Sequence, residues 1–188
     1  MGSAKPRPDP SVPSGPPIRR AQGEPRDSAQ GKPREQPRGE AQPEGYEILD
    51  HTADVALRAF GENREALLEN AARGMFSVMF DLDSVPLRGT VHVQVEAASF
   101  DDLLAQWLKE LIYLFDVEGW AFANFHVKEL SAPKPDENGM WRLSALAEGG
   151  PLSETVRKGA AVKAVTYHAF SVRQIADGTW QAHLVFDI

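Results

Sequence analysis

A chain of 188 residues, 42% of them apolar, is long enough to bury a core and short enough for one domain with a tail. It has no cysteine, which excludes disulfides, a thiolate nucleophile and zinc–cysteine sites, and no apolar run approaches a membrane span. The formal charge of −7 hides a split. Residues 1–44 hold eight of the twenty Lys/Arg and six of the twenty-seven Asp/Glu, a net +2, which leaves twelve against twenty-one, a net −9, for the rest.

Ten of the fourteen prolines lie in residues 1–44, with almost no large apolar side chains. Such a segment has too little apolar surface to offset the entropy of ordering, so it is expected to be a disordered, Pro-rich tail. Arg19-Arg20 would at most brush a phosphate or a partner. The N-terminus lacks the apolar segment of a signal peptide, so the expected compartment is the cytoplasm. The folded domain is expected over 45–188. Its acidity repels bare nucleic acid, so no direct nucleic-acid contact and no membrane contact are expected.

Within that domain Val55, Leu57 and Ala59 alternate with Ala56 and Arg58, which predicts a strand. Asn63 is a plausible N-cap for a helix carrying Leu67, Ala71, Met75 and Val78 on one face. Val91, Val93 and Val95 mark a second strand. Ser99, with Asp102 three residues on, opens a second helix. Leu103, Leu104, Trp107, Leu108, Leu111, Ile112 and Phe115 make that helix apolar on more than one face, so it is the predicted central helix, ended by Gly119. Strands are predicted at 122–130, 140–147, 162–175 and 180–188, the last two joined at Asp177-Gly178. The fold class is therefore α+β, with a largely antiparallel sheet packed on two main helices.

Apolar alternation runs to the last residue, so the end of the chain is expected to be paired in a sheet. That would hold the Asp187 side chain beside the main-chain carboxylate of Ile188. If Asp54, in His51-Thr52-Ala53-Asp54, folds next to them, three carboxylates crowd into one place. Such a cluster is costly unless a hard cation neutralises it, and oxygen-only ligands suit calcium or magnesium. The plain alternative is that Asp54 ends a strand and Asp187 faces water. Nucleophilic catalysis has little support, since no Gly-x-Ser-x-Gly elbow or Gly-rich phosphate loop is present. His51 and His168 could act as acid and base at neutral pH. With Asp54 they define a rival reading, a metal-dependent phosphoester hydrolase, although each histidine alone is more often structural. Asp116 and Glu118 could form a second acidic set, but they read more simply as the last turn of a helix capped by Gly119. Trp107 and Phe115 lie in a continuous apolar face and read as core, not as a base-stacking platform. A chaperone-like binding module is a third reading, for which the pattern shows no exposed apolar patch.

The tetrapeptide His51-Thr52-Ala53-Asp54, the helix Leu103-Leu104-x-x-Trp107-Leu108-x-x-Leu111, Glu118-Gly119, Lys163-Ala164-Val165-Thr166-Tyr167-His168 and the final Asp187-Ile188 together resemble the archease family. The likeness runs from about Tyr46 to Ile188. It implies a non-catalytic protein cofactor of an RtcB-type RNA ligase, acting in tRNA splicing and RNA repair. Such a cofactor promotes guanylylation of the ligase and permits repeated turnover. It also implies a divalent cation, calcium, with magnesium or manganese as alternatives in the cell, held at the positions of Asp54, Asp187 and Ile188. The chain departs from the pattern at Val156 and Ala161, where the family commonly has a histidine and a glutamate. If those positions grip the ligase, the contact here would be weaker or rearranged.

Overall fold

The computed structural model describes residues 45–50, 54–134, 139–155, 157–159 and 161–188. The expected tail at 1–44, the residues His51, Thr52 and Ala53 and the departure at Val156 lie outside the described residues. In chain order the elements are β1 (Tyr46–Asp50), β2 (Asp54–Gly61), α1 (Arg64–Met79), β3 (Gly89–Ala97), α2 (Phe100–Glu118), β4 (Trp120–Ser131), β5 (Trp141–Pro151), β6 (Ala164–Gln174) and β7 (Trp180–Asp187). The fold is α+β, as the patterning predicts.

Both helices begin where their capping residues lie. The Asn63 side chain accepts from the Ala66 N–H at 2.8 Å. Ser99 Oγ accepts from the Asp102 N–H at 3.1 Å and donates to the Asp102 carboxylate at 2.7 Å. The bonds from the Ala66 and Asp102 N–H groups each satisfy an amide that the helix itself leaves unpaired. Gly119 ends α2 at φ 66°, a left-handed conformation that costs glycine little.

The strands form two antiparallel sheets, ordered β1-β2-β7-β6 and β3-β5-β4. One sheet could not cover these helices. Buried residues of α2 include Leu103, Leu104, Trp107, Leu108, Leu111 and Phe115, which span more than one face. α1 accordingly packs on β2 and β4, and α2 on β3 and β6, so each helix touches both sheets. Trp107 is fully buried, and its indole N–H donates to the Leu68 carbonyl at 3.1 Å. Where the sheets approach each other, the Arg64 guanidinium lies 4.2 Å from the Trp180 ring centroid, 4.9 Å from Trp141 and 5.3 Å from Phe100. The strand β1 is not legible from periodicity, because Ile48 and Leu49 are adjacent and break the alternation. It forms by pairing with β2, in the register Tyr46↔Ala59.

Asp101, in the first turn of α2, gives the fold a pH dependence. Partial burial raises its carboxyl above the ordinary 3.8, the Val172 N–H bond opposes that shift, and the neighbouring Asp102 charge adds to it. The folded state thus holds the Asp101 proton more tightly than the unfolded state. The resulting stabilisation is fully present below pH 3.8 and is lost as pH rises through the raised value. Denaturant midpoints of wild type and Asp101→Asn, measured from acid upward, are expected to shift in favour of the Asn variant across that window. A pH-independent difference would contradict the assignment.

Candidate functional site

The site is built by strand register. β2 and β7 pair with Leu57 opposite Leu184 and Ala59 opposite Ala182, all four fully buried. Trp180, Ala182, Leu184 and Phe186 share the inward face of β7, so Asp187 must point outward. The same register ends with Asp54 directly opposite Asp187. Opposed residues of an antiparallel pair share a face, with Cβ atoms about 4.5–5.5 Å apart. The two carboxylates therefore stand side by side, and both residues are exposed. Neither side chain makes a hydrogen bond or ion pair with another described residue. Like charges so placed are destabilising unless something compensates them.

The neighbouring backbone fixes this end of the sheet. β6 places Ala164 opposite Asp187 on the other side of β7, and the Lys163 N–H donates to the Asp187 carbonyl at 2.8 Å. Ile188 follows directly, with its side chain packed against the core cluster. That anchoring fixes Ile188 at the same end of β7 as Asp187. Asp54, Asp187 and Ile188 are thus brought to one strand end.

His168 is not brought there, and His51 lies outside the described residues. His168 lies four residues beyond Ala164, in an irregular stretch of β6, and β6 is two strands from β2. Among the described residues no group of three or more His, Asp or Glu side chains is placed to hold a metal ion. The two carboxylates fit a hard cation by donor chemistry, since they offer only oxygen and, among the described residues, pair with no cationic side chain. In the expected set the third ligand is a main-chain group. Asp116 and Glu118 are exposed in the last turn of α2, as the helix-end reading requires.

Patterning missed the exposed aromatic surface. Tyr167 of β6 and Tyr113 of α2 are 56% and 54% exposed, and Val117 of α2 is exposed as well. One signal for it exists: β6 has 11 residues and its hairpin partner β7 has 8, so part of β6 cannot pair. Ala161, one of the two departures, is partly buried against the core.

Residues 46–188 match the model of the Archease protein family (MTH1598/TM1083). The chain belongs to the archease family. It is 36% identical over 149 residues to protein archease of Methanosarcina barkeri, covering 79% of this chain and 99% of that one. It is 33% identical over 144 residues to protein archease of Pyrococcus furiosus, covering 76% and 98%. The solution structure of Methanobacterium thermoautotrophicum protein 1598 matches with a TM-score of 0.63 and 29% identity, over 77% of this chain and 99% of that one. Both the archease family and the α+β fold expected from the sequence are therefore shown. Among the described residues no helix is long and apolar enough to cross a membrane.

Proposed function

We propose that this archease activates an RtcB-type RNA ligase, promoting guanylylation of the ligase and repeated turnover in tRNA splicing and RNA repair in the cytoplasm. Membership of the family supports a role as a protein activator of an RNA ligase. The observation that carries the finer reading is the register that opposes Asp54 to Asp187 at the end of the sheet. Asp54, Asp187 and the main-chain carboxylate of Ile188 would hold a divalent cation, calcium or, in the cell, magnesium or manganese. When bound, the cation supplies positive charge that offsets the carboxylates and nearby phosphate. The chain's own part is positional. The β2–β7 ladder sets the spacing of the two side chains, and the Lys163 amide fixes the backbone of Asp187. No residue of this chain is given a catalytic role. The hydrolase reading with His51, Asp54 and His168 becomes an outcome of the test, because the register does not join His168 to Asp54.

Calorimetric titration with calcium and magnesium tests the ligand set. Wild type is expected to bind. Asp187→Ala and a short extension after Ile188 are expected to bind at least about tenfold more weakly, each having lost a charged ligand. Unchanged affinity in the extended protein would remove the main-chain carboxylate from the set. Alongside, the purified protein alone should turn over no phosphoester, and added to the ligase it should raise the number of turnovers. Hydrolysis by the protein alone would favour the rival reading.

A further inference from the structure

The longer strand of the final hairpin does not lie flat. Between the pairs Thr166↔Val185 and Ser171↔His183, four residues of β6, Tyr167 to Phe170, stand opposite Leu184 alone. The extra residues bulge from the edge of the four-stranded sheet. Ala169 takes φ 59°, the one positive φ at a non-glycine residue among those described. His183 Nδ1 lies 3.0 Å from the Ala169 carbonyl oxygen and braces the bulge. A left-handed alanine is strained, and such strain persists where surrounding structure enforces it, often at functional sites.

The bulge presents aromatic rings in a fixed pose. Tyr167 and Phe170 pack with centroids 5.9 Å apart. Lys109 of α2 donates to the Tyr167 hydroxyl at 3.2 Å and lies 4.7 Å from its ring centroid. Tyr113 and Val117 follow Lys109 at four-residue intervals, so they continue the same face of α2. A bulge alone would blunt the sheet edge against aggregation. That purpose does not require an exposed tyrosine held by a lysine. Rigid, exposed aromatic side chains are the usual anchors of a protein interface.

Charge indicates what the surface accepts. α2 carries five acidic residues, Asp101, Asp102, Glu110, Asp116 and Glu118, against one base, Lys109, which is engaged with Tyr167. Asp102 and Asp116 fall on the stripe of Lys109. An acidic rim around aromatic anchors complements a basic protein surface. A ligase that binds RNA and a nucleoside triphosphate must present such a surface around its substrates. The bulge lies on the strand that pairs with the end of β7 at Asp187. Tyr167 lies three residues, about 10 Å of strand, beyond Ala164, which pairs with Asp187.

We infer that the Tyr167–Phe170 bulge and the adjoining Lys109–Tyr113–Val117 face of α2 form the docking surface for the ligase, its basic protein surface seating on the aromatic pair. This inference rests on the proposed ligase-activating function. It assigns affinity to the bulge and leaves activation to the carboxylate end.

The test is a titration of the full chain into the ligase, with guanylylation rate as the readout, for wild type, Tyr167→Ala, Tyr113→Lys and Asp54→Ala. Tyr113→Lys changes an exposed helix residue and guards against a folding defect at the bulge; melting curves check all four proteins. The two tyrosine variants are expected to raise the half-saturating concentration about tenfold or more with the plateau unchanged. Asp54→Ala is expected to lower the plateau with little change in half-saturation. Tyrosine-variant curves that superimpose on wild type would overturn the docking assignment while leaving the activator reading standing. Wild type that never stimulates would overturn both. Sedimentation showing a dimer that Tyr167→Ala dissolves, with ligase response unchanged, would assign the surface to a second copy of this chain instead.

Discussion

Trp107→Ala is expected to remove about 3–5 kcal/mol of stability, as deletion of a large aromatic side chain from a packed interior does. The indole is fully buried at the centre of α2, and the Phe125 ring meets it edge-on at 6.2 Å. Its N–H reaches the Leu68 carbonyl of α1. The substitution therefore opens a cavity between the two helices and the three-stranded sheet, and it breaks a buried hydrogen bond. Against a usual total of about 5–15 kcal/mol, such a loss leaves a marginal protein. Urea unfolding followed by circular dichroism is the measurement, with a lowered midpoint and an unchanged slope expected. A midpoint within error of wild type would mean that Trp107 is not packed in the interior, and would reopen the reading of that face as a binding surface.

The helices were readable because their signals are local. Asn63 and Ser99 cap the first turns, and apolar spacing marks the buried faces of both helices. Most strands were readable by alternation. Pairing between distant strands leaves no local signal, which is why the division into two sheets and the strand β1 appear only in the structure. The candidate site shows the same boundary. Asp54 and Asp187 can be suspected from the end of an alternating pattern and from resemblance, but their opposition depends on the β2–β7 register, across more than a hundred residues of chain. The bulge of β6 was hidden because Tyr167, Ala169 and Phe170 all suit a strand. Only the mismatch in length with β7 hints at residues that cannot pair.

Asp54→Ala is expected to separate stability from function. Asp54 is exposed and faces a like charge, so without cation the variant should melt no lower than wild type. With cation at about one hundred times the wild-type Kd, wild type should gain about 2.7 kcal/mol and the variant far less. Thermal melts with and without calcium check this without any ligase present. Equal gains in both proteins would place the cation elsewhere.

The proposed role is activation of the ligase without catalysis, through the carboxylates at the end of the four-stranded sheet. The most direct measurement is transfer of radiolabel from GTP to the ligase, with ligase alone, ligase plus wild type, and ligase plus Asp54→Ala. Wild type is expected to raise the rate of guanylylation and Asp54→Ala to lose that effect while remaining folded. Equal stimulation by the two proteins would contradict the account, since it would leave the opposed carboxylates without a part in activation.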